Sequence, residues 1–196
     1  MYKRLTALMM AGVLSACGSN ESATTANRQI GGASGTELAA EQVLHWGNGA
    51  EPQGLDPHKS EGVPGSNIQR DLFDGLISEA PNGDLIPGGA ESWEMNADGT
   101  VYTFNLRQDA RWSNGDPVTA NDWVYGLRRS VDPVTGSRYT FILEPILNGA
   151  KISAGELPPE SMGVRAIDDY TLEITLEAPT PYFLGLLTHS SAYPMH

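Results

Sequence analysis

Four histidines, His45, His58, His189 and His196, are the residues best suited to metal or proton chemistry. No two stand four apart, the spacing that places a pair of imidazoles on one helix face, and the single cysteine, Cys17, is near none of them. The pattern therefore predicts no metal site and no cofactor, and one cysteine excludes a disulfide within the chain. There is no Gly-x-Ser-x-Gly elbow and no Gly-rich phosphate loop. Asp56, Asp71, Asp74 and Asp84 have no acid/base partner that spacing can name. Trp93, Trp112 and Trp123 fall on the buried phase of their elements, so they are expected in the core rather than on a stacking platform. Nothing in these residues points to catalysis, and the chain is expected not to be an enzyme.

Composition narrows the class further. The chain has 196 residues, 24 acids against 12 bases, and a formal net charge of −12. That balance argues against nucleic acid, whose phosphates need basic patches. With 40% hydrophobic and 18% charged residues, most of the chain should fold.

Cys17 sits in a different kind of pattern. Lys3 and Arg4 precede an apolar run over residues 5–13, then Leu14-Ser15-Ala16-Cys17. A basic head, a short apolar core and small residues before a cut form a secretory signal over residues 1–16. Leu-Ser-Ala-Cys resembles the bacterial lipobox, which implies acylation of the Cys17 thiol; the alternative is an ordinary signal peptide. Cleavage there removes two bases and no acid, so the remaining surface is more acidic still and an acyl anchor, not charge, would hold it to a membrane. Residues 17–41, rich in Ser, Thr, Asn, Ala and Gly, read as a flexible tether, with a helix over residues 36–42 as the alternative.

From residue 42 the texture is that of a folded domain. Residues 43–46 form a β-like run. Ser66 and Gln69 have capping-box spacing, and Ile68, Leu72, Phe73 and Leu76 recur at helical intervals, predicting one buried face with Gly75 near the helix end. Trp93 and Met95 share a strand face, and residues 96–99 form a turn. Tyr102, Phe104 and Leu106 alternate as in a half-buried strand. Asn114-Gly115 is a tight turn. Thr119 and Asp122 repeat the capping spacing before a helix that should bury Trp123, Val124, Leu127 and Val131 and stop at Asp132-Pro133. Residues 139–155 look helical with a break at Pro145, 164–176 read as a hairpin, and 182–187 as a short helix. The sum is an α/β, mixed α+β, fold.

Long ordered strings carry a resemblance. Ala90-Glu91-Ser92-Trp93, residues 98–107 (Asp-Gly-Thr-Val-Tyr-Thr-Phe-Asn-Leu-Arg) and residues 112–123 (Trp-Ser-Asn-Gly-Asp-Pro-Val-Thr-Ala-Asn-Asp-Trp) are similar to the signature of family-5 extracellular solute-binding proteins of ABC importers. Leu55-Asp56-Pro57-His58, Arg70-Asp71-Leu72-Phe73, Arg129-Ser130-Val131-Asp132-Pro133 and Ala166-Ile167-Asp168-Asp169 resemble its oligopeptide-binding members in particular. The resemblance spans roughly residues 42–196.

It implies a periplasmic-binding-protein-like fold of the class with an extra domain. Residues 42–73 would begin ligand-binding domain one, residues 74–196 would form the extra α+β domain two, and domain three would be absent. It implies oligopeptides as ligands, ABC importer permease subunits as partners, and a lipid-anchored place on the extracytoplasmic side of the cell envelope. Glu61, Val63 and Tyr139 match peptide-contacting positions. Glu61 would attract a peptide ammonium or basic side chain, Val63 would pair through its backbone, and Tyr139 would offer a ring face and a hydroxyl. With the second lobe missing, the expectation is a truncated copy with impaired binding. Other family ligands (dipeptide, murein peptide, nickel chelate, haem) and a non-transport structural lipoprotein stay open as alternatives.

Overall fold

The computed structural model describes residue 41 and residues 43–196. The signal over 1–16, Cys17 and almost all of the tether lie outside the described residues. Residues 46–196 form one contact unit.

Two antiparallel sheets carry the chain. A small one pairs β1 (Ile77–Glu79) with β2 (Leu85–Pro87). The larger one has the order β3-β4-β6-β5, from β3 (Ala90–Met95), β4 (Val101–Leu106), β5 (Val164–Asp168) and β6 (Thr171–Thr175), with every neighbouring pair antiparallel. The period-two reading holds in the central strands. Tyr102, Phe104 and Leu106 of β4 are buried, as are Leu172 and Ile174 of β6, which lie directly opposite Phe104 and Tyr102. Each such side chain removed from water contributes about 1.5–3 kcal/mol before chain entropy is charged against it. The hairpin read from residues 164–176 is β5–β6. The turn at 96–99 also forms. Gly99 has φ +71°, and Asn96 Oδ1 accepts the amides of Thr100 and Val101.

Helix α2 (Ala120–Val131) lies against β5 and β6 and buries Trp123, Val124, Leu127 and Val131 as expected. Its start is fixed by Asp122, whose Oδ2 accepts both the Thr119 amide at 2.6 Å and the Thr119 hydroxyl at 3.0 Å. The chain end packs on the same helix. A Cβ at Gly126 would lie 2.6 Å from the Tyr193 carbonyl, so only glycine admits the backbone of residues 193–195 there. The stretch 139–155 forms a 3-10 turn (Thr140–Ile142) and α3 (Gly149–Ser153) on either side of Pro145, and α4 spans Phe183–Leu186.

Three expectations are corrected. Residues 43–46 form no strand, and Val43, Leu44 and Trp46 are exposed. An apolar run supplies propensity, but a strand needs a ladder partner. The helix expected from Ser66 starts earlier. Helix α1 (Val63–Leu72) is entered through Gly62 at φ +81°, with Pro64 in its first turn, so Ser66 lies inside it. It ends at Phe73, which is extended. Leu72 is exposed, and Leu76 is buried beyond the helix rather than on its face. Gly75 belongs to the following loop, where its carbonyl accepts the Gly89 amide at 2.7 Å. Finally, Trp123 is in the core and Trp93 packs on it, but Trp112 is half-buried in the 111–117 turn, edge-on to His196.

Candidate functional site

The left-handed Gly62 turns the chain into α1 and sets Val63 at its first position, 70% exposed. Val63, Ser66, Asn67 and Arg70 recur at intervals of three and four, so they form one stripe along the helix. That stripe lines a cleft of about 470 Å³, whose other side is formed by Tyr139, His189 and Ser190. The Tyr139 and His189 rings are 5.0 Å apart at 46°, and Phe141 flanks Tyr139 at 6.0 Å. Burial lowers the pKa of His189, and the nearby Arg70 charge lowers it further, so its ring is neutral at pH 7.

Two of the residues singled out from sequence meet here, Val63 and Tyr139. Glu61 does not line the cleft. Its Oε1 is 3.0 Å from Arg138 Nε, so the carboxylate proposed for a ligand cation already has one. Cys17 lies outside the described residues. Among the described residues no group of three His, Cys, Asp or Glu side chains is placed to hold a metal, and no helix is long and apolar enough to cross a membrane.

The cleft rests on a polar network that sequence reasoning missed. Arg129 on α2 donates from Nη1 to Asp56 Oδ1 at 2.9 Å and from Nη2 to Asp56 Oδ2 at 2.6 Å, a bidentate pair. The same Nη1 lies 3.0 Å from His58 Nδ1, and His58 Nε2 lies 3.1 Å from the Tyr193 carbonyl. A guanidinium can only donate, so Nδ1 accepts and Nε2 carries the proton. The network ties the loop before α1 to α2 and to the chain end, so it holds the element that carries Val63. Hydrogen bonding from Arg129 lowers the Asp56 pKa. Burial, helped by the Arg129 charge, lowers that of His58 to about 4. Asp56 and His58 are separated from Arg129 by more than seventy positions; no local spacing announces them. The only signal was that both Leu55-Asp56-Pro57-His58 and the string starting at Arg129 belong to the family-like strings.

The cleft is open and mixed in character, with Ser, Asn, Gln and Arg side chains on one wall and two aromatic rings on the other. The model of bacterial extracellular solute-binding proteins, family 5 (middle part) matches residues 84–196, more than half of the chain. The chain belongs to that family, which is one of solute-binding proteins and not of enzymes. It is 50% identical over 190 residues to the periplasmic oligopeptide-binding protein OppA of Escherichia coli, covering 96% of this chain and 34% of that protein. It is 41% identical over 164 residues to the periplasmic murein peptide-binding protein MppA of the same organism, covering 83% of this chain and 30% of the other. Among solved structures, Haemophilus influenzae OppA in complex with RPPGFSPFR superposes with a TM-score of 0.74 at 48% identity, over 76% of this chain and 29% of that one. The chain thus spans about a third of the length of the curated relatives it matches.

Proposed function

We propose that the chain carries a peptide-contacting part of a solute-binding lipoprotein serving an ABC-type oligopeptide importer. The observation that carries this reading is the cleft in which Val63 and Tyr139, the positions implied by resemblance, come together from distant parts of the sequence. Val63 is the first residue of α1, where amides have no intrahelical acceptor, so its N–H is available to a ligand carbonyl. The Tyr139 ring supplies a flat apolar face beside it. An extended peptide held by backbone hydrogen bonds, with bridging water around its side chains, suits such a cleft. In this reading residues 42–73 begin the ligand-binding domain, residues 74–196 form the extra domain, and an acylated Cys17 holds the chain on the extracytoplasmic side of the cell envelope. Permease subunits are the partners. Identity of 46–50% to three periplasmic oligopeptide-binding proteins, against 41% to the murein peptide binder and 42% to a probable deoxycholate-binding protein, favours oligopeptides within the family.

Titration of the full chain with Ala-Phe-Ala-Ala tests the ligand class. Saturable binding at or below the millimolar range is expected, weakened at least about tenfold by Tyr139→Ala. Absence of saturation, or binding indifferent to Tyr139→Ala, would overturn the reading. For the anchor, the intact mass of the protein from its native envelope should be that of a chain starting at acylated Cys17; an unmodified cysteine would refute acylation.

A further inference from the structure

Almost every described arginine of this acidic chain is committed. Arg107, Arg129, Arg138 and Arg165 pair with Asp109, Asp56, Glu61 and Glu173. Arg111 donates to the carbonyls of Gln108 and Ala110, and Arg128 to those of Glu160 and Val164. Arg70 is the exception among the described residues, with neither an ion pair nor a side-chain hydrogen bond. Asp74 and Glu79 share a neighbouring hollow of about 160 Å³ with it, yet neither carboxylate is within 4 Å. Arg70 is also the one formally charged side chain that lines the 470 Å³ cleft. Ser66, one helical turn earlier on the same stripe, adds a hydroxyl. The opposite wall, Tyr139 and neutral His189, brings no competing charge.

We propose that Arg70 is a specificity-determining residue whose guanidinium binds a carboxylate of the captured peptide. This rests on the peptide-binding reading above and deepens it. A planar guanidinium matches a carboxylate through two parallel hydrogen bonds, which a bare ammonium cannot reproduce. With Glu61 neutralised by Arg138, the cleft attracts a ligand acid rather than the ligand cation expected from sequence. The chain's net charge of −12 opposes any general attraction of acids, so a preference for them must come from a local site. The carboxylate has two possible sources, the peptide C-terminus or an Asp or Glu side chain.

Three probes separate these in titrations of the full chain: Ala-Gln-Ala amide, Ala-Glu-Ala amide and Ala-Gln-Ala with a free C-terminus. At least one acidic probe should bind about fivefold or more tighter than the neutral amide, and the probe that gains identifies the source. Arg70→Gln should close that gap between the acidic and neutral probes, Arg70→Lys should restore part of it, and about 0.5 M salt should shrink it. Arg70 is exposed, so the variants should keep the parent's urea midpoint. Equal binding of all three probes, or a gap that survives in Arg70→Gln, overturns the assignment and leaves the peptide reading standing. Binding of no probe overturns both.

Discussion

Acidification should loosen the loop that carries the cleft, through His58. Its ring is buried, its Nδ1 faces the Arg129 guanidinium, and its pKa is lowered from 6.5 to about 4. A second proton could go only to Nδ1, where it would point at a cation and break the contact. Because the folded state resists protonation, the stabilisation is complete above the unfolded value of 6.5 and is lost as pH falls from there through about 4. At pH 4.5 the linked loss is about 2.5 kcal/mol, a large share of a domain's usual stability of about 5–15 kcal/mol. The lowered Asp56 carboxyl contributes with the same sign but in a lower window, lost as pH falls from 3.8 through its folded value. His189, also lowered, adds to the loss in the His58 window. Urea unfolding of the full chain at pH 7 and pH 4.5 should show the drop, and His58→Gln, although less stable at pH 7, should show a drop smaller by about 2.5 kcal/mol. Equal stability of the parent at the two pH values, or the same drop in His58→Gln, would refute the argument.

Other perturbations follow from the same geometry. Arg129→Met strands the Asp56 carboxylate and removes the donor to His58; with the pair part-buried, a loss of about 2–3 kcal/mol is expected by urea unfolding at pH 7, between the exposed and fully buried limits. Gly126→Ala places a Cβ where the Tyr193 carbonyl lies, so about 1–3 kcal/mol should be lost and amide exchange near residues 193–195 should accelerate. Asp122→Ala removes the acceptor for the Thr119 amide and should cost about 1 kcal/mol in thermal unfolding, with Asp122→Asn recovering part of it. Phe104→Ala opens a cavity in the centre of the four-stranded sheet and should cost about 3–5 kcal/mol by denaturant titration.

Where a signal was local, the sequence determined the outcome by itself. The alternation of Tyr102, Phe104 and Leu106 fixes which face of β4 is buried, because the side-chain period of a strand is two. Thr119 and Asp122 fix the start of α2, because the acid at the third position reaches back to the cap. The ordered strings around Trp93, Leu106 and Trp123 were enough to place the chain in its family. Where partners are distant, only the tertiary structure decided. Residues 43–46 have strand propensity and form no strand, since propensity supplies no ladder. Helix α1 starts at Val63 rather than Ser66, because the left-handed Gly62 and Pro64 set its entry and outweigh a capping pattern three residues on. Glu61 matches a ligand-contacting position but meets Arg138 in the fold, and Asp56, with no partner that spacing can name, meets Arg129. A charge's role depends on which opposite charge the fold brings within reach, and sequence spacing is blind to this beyond a turn or two. For the same reason, Arg70 differs from the other described arginines only in the fold, where each of those meets an acid or a carbonyl.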